Sequence, residues 1–367
     1  ADVLEEDVLP ARVQGYRAGD LDALTAAGLV RWRGRGAGTI ALYLAEHEAL
    51  LAPEVTPTEG EIEARVREAL ARRGAVFFAD LVRELGAFPR DVLAALHAMA
   101  FAGEVTNDTL APLRSLAQKE RPRSAARARG RHATRSLVAP GSEGRWSLVS
   151  TPGPSDAPRP SATERRTALA RALLGRYGVL VREAAGAEQI PGGFGAVYEV
   201  LRAMEEAGKA RRGWFVHGLG ATQFALPGAD DALRAHRDSV APDTWLLAAT
   251  DPAQPYGALA PWPAASREGV ARPQRARGAH VVLFGGKLVA WLGRTERSLL
   301  TFLPEAEPER GHAIVALSGV LADLVAFSAV THLTGSLDLL QGAGLTDLRD
   351  LAALTTVDGD VTLSGLG

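Results

Sequence analysis

Residues 200–214 read VLRAMEEAGKARRGW. Apolar positions three or four apart mark one face of a helix, Gly208 stops it, and a short extended stretch follows. The same order occurs at 93–107, LAALHAMAFAGEVTN, and at 21–32, LDALTAAGLVRW. Superposing the three puts Leu24, Met99 and Met204 in one column and Gly28, Gly103 and Gly208 in another. The glycine has a physical role there: it takes the left-handed conformation that ends a helix before the chain turns into a strand.

Upstream, the second and third occurrences also agree. Ile62, Val66 and Leu70 form one stripe, Arg73-Gly74 breaks it, and a second helical segment spans 78–85. Leu169, Leu173 and Leu174 lead to a break at Tyr177-Gly178 and a resumption over 181–185. Helix, short helix, longer helix and hairpin is the winged-helix order, in which the last helix can enter a major groove. A single such unit is as well read as purely structural; three in one chain mark a repeated module.

The 367 residues exceed one ordinary core, and a formal net charge of -2 gives no overall steering toward a polyanion. Contact with nucleic acid must therefore come from local patches. The densest is RPRSAARARGRHATR at 121–135, with six arginines and no acidic residue, which reads as a basic loop or linker. Arg121, Arg123, Arg127, Arg129 and Arg131 are candidate phosphate contacts there, against the plainer reading of a solvated linker. A Pro- and Ser-rich linker, TPGPSDAPRPSATE, occupies 151–164. Cysteine is absent, which excludes disulfides and thiolate chemistry. No apolar run is long enough to span a bilayer, so no membrane contact is expected, and the acidic start is no signal peptide. The chain opens without methionine and is expected to be a fragment of something larger.

After about residue 240 the texture becomes strand-like. Strands are expected at 245–249, 280–284, 288–292 and 299–303, with Gly285-Gly286-Lys287 as a hairpin turn. A small curled sheet or barrel follows from this, then helices at 313–326 and near 347–354, and a turn at 356–360 between short strands.

Nucleotide-hydrolysis loops are missing, GRGAG at 34–38 reads as a hairpin tail, and the histidines lack metal-ligand spacing, so no cofactor or metal is expected in this chain. Candidate DNA-binding residues beyond the basic segment are Arg202 on the helix opened by Gly192-Gly193-Phe194, and Lys209, Arg211 and Arg212 at its end. Of Trp214 and Phe215, one is expected in the core and the other is a candidate stacking platform. Gln223 lies in an apolar run and either finds a buried partner or reaches a base edge. Asp251, on a turn after a strand, is a candidate catalytic acid for cleaving a base from its sugar; the plainer reading is a residue capping its own turn. Asp358 and Asp360 are weaker catalytic candidates beside Gly359.

Five strings carry a resemblance: GEVTNDTLAPLRSL (103–116), GRW (144–146), RYGVLVRE (176–183), PGGFGAVYEVLRAMEEAGKARRGWFVHGLGATQFALPGA (191–229) and ATDPAQPYGALAPWP (249–263). In order and over nearly the whole chain, they resemble the C-terminal region of Lhr, the large helicase-related family of bacterial DNA repair. The resemblance implies tandem winged helices followed by a β-barrel, similar to AlkZ-type winged-helix DNA glycosylases. It also implies an absent N-terminal motor that uses ATP and magnesium for 3′-to-5′ movement on single-stranded DNA. A uracil glycosylase activity, a homo-oligomer, possible as a tetramer, and an acidic residue near the C-terminus are associated with this region. Arg211, Arg212, Gln223 and Asp251 match family-typical positions. The chain is shorter than a full C-terminal region, and DGDVTLSGLG stops before a final helical segment the family would supply.

The expectation is thus an α+β chain of tandem winged-helix domains followed by a small β-barrel-like domain. Residues 1–55 are read as the end of one module, 56–120 as a second, 121–162 as a basic and Pro-rich linker, 163–240 as a third module and 241–367 as the barrel-like domain. The expected role is a DNA-binding and oligomerising appendage of a repair helicase, with single-stranded or forked DNA and the helicase core as partners, in a cytoplasmic, nucleoid-associated setting. The alternatives are a DNA glycosylase and a purely structural oligomerisation module.

Overall fold

A computed structural model describes residues 3–36, 38–55, 57–119, 139–149, 160–220, 222–237, 242–263, 272–294, 298–323, 332–334, 337–340, 356–358 and 361–364. The chain divides into two compact units, Ala1–Leu169 and Ala170–Gly367.

The first unit opens with a π-helical turn (Leu4–Val8), α1 (Leu9–Arg12) and α2 (Ala18–Ala26). An antiparallel hairpin of β1 (Val30–Gly34) and β2 (Ile40–Leu44) follows, paired from Val30 with Leu44 to Gly34 with Ile40, and then α3 (Ala45–Leu51). Residues 34–36 and 38 lie at the hairpin end, as expected. Glu48 of α3 is buried beneath Arg33 at 2.5 Å and Arg31 at 2.9 Å, which ties the helix to the hairpin.

The complete module that follows has α4 (Glu61–Arg73), β3 (Val76–Phe77), α5 (Phe78–Leu85), α6 (Pro89–Phe101), β4 (Val105–Asn107), α7 (Ala111–Lys119) and β5 (Arg145–Leu148). The stripe of α4 is buried at Val66 and Leu70 against Leu81, Leu96 and Met99. Trp32 of β1 joins this core edge-on to Trp146 of β5, ring centres 6.5 Å apart at 82°. Arg114 of α7 binds both Glu5 and Asp22 at 2.7 Å.

Strand β5 corrects a boundary. It pairs with β3 through Val76 and Trp146 and with β4 through Val105 and Leu148, so the sheet order is β3-β5-β4. The segment read as a linker from 121 therefore begins inside the module, between two strands of one sheet. Its five candidate arginines, Arg121, Arg123, Arg127, Arg129 and Arg131, lie outside the described residues.

The second complete module, third in the sequence reading, repeats the order: α8 (Ala162–Tyr177), β6 (Val179–Leu180), α9 (Arg182–Ala187), α10 (Gly195–Glu206), β7 (Arg211–Gly213) and β8 (Gln223–Ala225), with sheet order β6-β8-β7. Helix α8 starts at a reciprocal cap between Ser161 and Glu164, and α11 (Ala229–Arg237) follows the sheet.

The glycine column is one backbone device used three times. The N–H groups of Gly28, Gly103 and Gly208 donate to the carbonyls of Thr25, Ala100 and Glu205, at 3.0, 3.0 and 2.9 Å. The next N–H in each case, of Leu29, Glu104 and Lys209, reaches back to Leu24, Met99 and Met204. All three glycines have φ near +70°, at 72, 78 and 68°, the left-handed helix end that glycine favours. The first side-chain column is less uniform: Met99 and Met204 are buried, whereas Leu24 is 43% exposed and Leu21 and Thr25 face inward.

Beyond these modules lie β9 (Thr244–Ala248), β10 (His280–Phe284), β11 (Lys287–Leu292), β12 (Ser298–Thr301), α12 (Glu309–Asp323), β13 (His332–Thr334), β14 (Leu337–Leu340), β15 (Thr356–Asp358) and β16 (Val361–Ser364). The Gly285-Gly286 turn joins β10 to β11 with both residues at positive φ, the geometry that matches strand twist. The second expected helix, near 347–354, lies outside the described residues.

The expected β-barrel is not formed. Six strands lie in the order β15-β13-β12-β11-β10-β9, and the edge strands β15 and β9 do not pair with each other among the described residues. Strands β14 and β16 pair separately. Helix α12 supplies the cover that closure would otherwise give: its Ala313, Leu317 and Leu321 pack on Val282, Ala290, Leu292 and Leu299. The opposite face packs Val281, Leu283 and Trp291 against Ala249, Tyr256 and Trp262.

Candidate nucleic-acid interface

In the second module, α10 and the β7–β8 wing carry most of the sequence candidates. Gln223, at the first position of β8, is fully buried. Its Oε1 accepts from the N–H groups of Phe215 and Val216 at 2.9 and 2.8 Å, and its Nε2 donates to the carbonyls of Val216 and Gly220 at 2.8 and 3.1 Å. The amide is therefore spent on the wing loop, and the base-edge alternative is not the one the structure takes. Its work is to fix the loop that holds Trp214, which stands 69% exposed while Phe215 tucks beside Gly213. Phe215 is half-buried, whereas its neighbour Trp214 presents an open face.

The arginines are less available than a charge count suggests. Arg202 lies between Glu199 at 3.6 Å and Glu206 at 3.5 Å on the outer face of α10. Arg211 meets Asp230 at 3.3 Å and Arg212 meets Glu205 at 3.3 Å. Exposed pairs of this kind contribute at most about 1 kcal/mol, so a phosphate can compete for each guanidinium. Lys209 is exposed and makes no ion pair among the described residues.

The sequence candidates do not include a cleft of 590 Å³ beside the α9–α10 turn, whose lining includes Arg182, Phe194, Tyr198 and Thr222. Phe194, Tyr198 and Phe224 form an aromatic group with ring centres 6.1–6.4 Å apart. The available signal was the glycine-rich PGGFG before a helix, which removes side chains from one wall.

Asp251 sits on the turn after β9, 2% exposed. Its Oδ1 accepts from the Ala253 N–H at 2.7 Å, and its carbonyl accepts from Arg275 at 3.0 Å. Arg275 also donates to the carbonyls of Thr250, Gln254 and Tyr256, so one guanidinium gathers the whole turn. Burial lowers the Arg275 pKa, opposed by the charge of Asp251 and by Tyr177. Burial, then the charge and hydrogen bond of Glu188, pushes the Tyr177 phenol up to about 12. This is the turn-capping geometry of the plainer reading. Asp358 ends β15, opposite Thr334, and Asp360 lies outside the described residues. The structure thus does not bring the three aspartates together as one described site.

Residues 159–245 match a winged-helix domain model of the large helicase-related protein, and residues 1–45 match a second model of the same description. A Mycolicibacterium smegmatis protein named "Lhr helicase/ probable uracil glycosylase" is 38% identical over 358 residues, covering 91% of this chain and 23% of that protein. The chain is homologous to the Lhr helicase family. An Escherichia coli relative, "Lhr helicase/uracil glycosylase", is 35% identical over 356 residues, covering 86% of this chain and 22% of its own length. The chain thus spans less than a quarter of the length of these curated Lhr relatives. The first Lhr model covers all of α8 through β8, so the wing with Trp214 and Gln223 falls within the matched region. No helix among the described residues is long and apolar enough to cross a membrane.

Proposed function

We propose that this chain is a DNA-holding region of an Lhr-type repair helicase, in which winged-helix wings grip single-stranded or forked DNA while a motor elsewhere moves it. The observation that carries the reading is the wing of the second module: Gln223 pins its loop and Trp214 projects from it, beside Lys209 and displaceable arginine pairs. An exposed indole on a rigid loop suits stacking on an unpaired base, worth roughly 1–3 kcal/mol per base. The test is anisotropy of a labelled single strand and a fork at low and moderate salt. Saturable binding that weakens with salt and falls about tenfold in Trp214→Ala supports the reading; no binding at low salt refutes it. Assembly into a homo-oligomer and docking to a helicase core belong to the same proposal.

A second reading, release of uracil from DNA, is favoured by the names of both relatives. Asp251, Asp358 and Asp360 are its candidate acids. Loss of uracil release in Asp358→Asn or Asp360→Asn, with release kept in Asp251→Asn, would fit the capping role of Asp251 and move the chemistry to the C-terminal strands.

A further inference from the structure

The cleft beside the α9–α10 turn gathers several polar groups that have no protein partner among the described residues. Arg202, Arg211 and Arg212 are each matched by a carboxylate, whereas Arg182 is exposed and makes no ion pair among the described residues. The hydroxyls of Tyr198 and Thr222, both lining the cleft, likewise have no protein partner among the described residues. Glycine occupies the intervening wall: a Cβ at Gly186, Gly193 or Gly195 would meet nothing within 4 Å. Among the described residues, one cation without an ion pair, two hydroxyls without a protein partner and partly buried aromatic rings thus border a single volume of 590 Å³.

We propose that this cleft takes one unstacked nucleotide of a bound strand, with its phosphate on Arg182 and its base against Tyr198 and Phe194. This rests on the DNA-holding reading for its biological setting, but the chemistry is that of a nucleoside monophosphate and can be tested without a longer strand. A guanidinium meets phosphate through charge-assisted hydrogen bonds, and an aromatic face accepts any base. Tyr198 and Thr222 add hydroxyls able to donate to base or sugar oxygens. Trp214 and this cleft are separate features of the module, so the nucleotide site does not duplicate the wing contact.

The experiment uses the full chain and the 5′-monophosphate of 2-aminopurine deoxyriboside, whose fluorescence falls when its base stacks. Saturable quenching with a dissociation constant on the order of 1 mM is expected for one stacked base and one phosphate contact. Unlabelled dAMP should compete, and inorganic phosphate at equal concentration should compete less. Arg182→Ala and Tyr198→Ala should each weaken binding about tenfold. Tyr198→Phe should keep most of the quenching, and Lys287→Ala, on the exposed β10–β11 hairpin and outside the cleft, should leave it unchanged. Far-UV circular dichroism confirms that each variant is folded, and Arg182→Ala removes an exposed group with no ion pair among the described residues. Absence of saturable quenching, or quenching in Arg182→Ala and Tyr198→Ala equal to that of the parent, overturns the proposal. A labelled 20-mer measured in parallel separates the two ideas. Mononucleotide bound without the 20-mer sinks the DNA-holding reading alone, and the 20-mer bound without the mononucleotide sinks the cleft alone.

Discussion

Gln223 and Val216 face each other through a two-way pair of hydrogen bonds: the Val216 N–H donates to the glutamine oxygen at 2.8 Å, and the glutamine nitrogen donates to the Val216 carbonyl at 2.8 Å. With Phe215 and Gly220 completing the set, one buried amide substitutes for strand pairing across the wing loop. Gln223→Leu keeps the volume and leaves four backbone groups unmatched, so a loss of about 1–3 kcal/mol is expected in urea unfolding. Trp214 emission should also shift as the loop loosens. An unchanged midpoint and unchanged emission would refute this role.

The glycine caps give an ordering rather than a single value. Gly208→Ala meets nothing within 4 Å and is strained only by its φ of 68°, for about 1 kcal/mol. Gly103→Ala carries the same strain and also brings a Cβ to 2.9 Å from the Gly34 carbonyl oxygen. Urea midpoints should therefore fall further for position 103 than for position 208. The reverse order would contradict the packing of the first hairpin against α6.

Glu104 gives a pH signature to the first unit. Burial raises its pKa, but hydrogen bonds from Arg67 and from the N–H and hydroxyl of Thr58 outweigh this, and the net shift is downward. A lowered folded-state pKa means that its stabilising contribution is present above the ordinary carboxylate value of about 4.3 and is lost as pH falls through the folded value. Glu104→Gln should lower stability at neutral pH by about 1–3 kcal/mol and flatten the acid limb. Parallel melting curves at pH 7 and pH 3 read both effects; a gap that does not narrow in acid argues against the pairing.

At Asp251, charge and capping can be separated. Asp251→Asn retains an oxygen for the Ala253 N–H, whereas Asp251→Ala removes it. The asparagine variant should remain within about 1 kcal/mol of the parent and the alanine variant should lose about 1–2 kcal/mol, by chemical denaturation. Equal losses in both would make the charge beside Arg275, not the cap, the stabilising element.

What was legible in the sequence was what depends on near neighbours. Helix, glycine and strand could be aligned because the cap at Gly28, Gly103 and Gly208 uses bonds spanning only three to five residues. The Gly285-Gly286 hairpin was equally local. Strand Arg145–Leu148 was not found, since its partners at 76–77 and 105–107 lie far back along the chain and four residues carry little pattern. Sheet closure was misjudged for a related reason: whether edges meet depends on what covers the faces, and α12 covers one of them. The pairing of Arg202 was readable from Glu199 and Glu206 at helical spacing, but the cleft was not, because it joins residues 182 to 222 through the fold.

Because β4 and β5 are neighbours in one sheet, the arginine-rich stretch between them is held at both ends by the same folded body. A peptide-bond break there would not release either half. The two halves should still elute as one species under native conditions, joined by the β4–β5 ladder and the Trp32–Trp146 core. The chain could accordingly be expressed as two complementing polypeptides divided in this stretch.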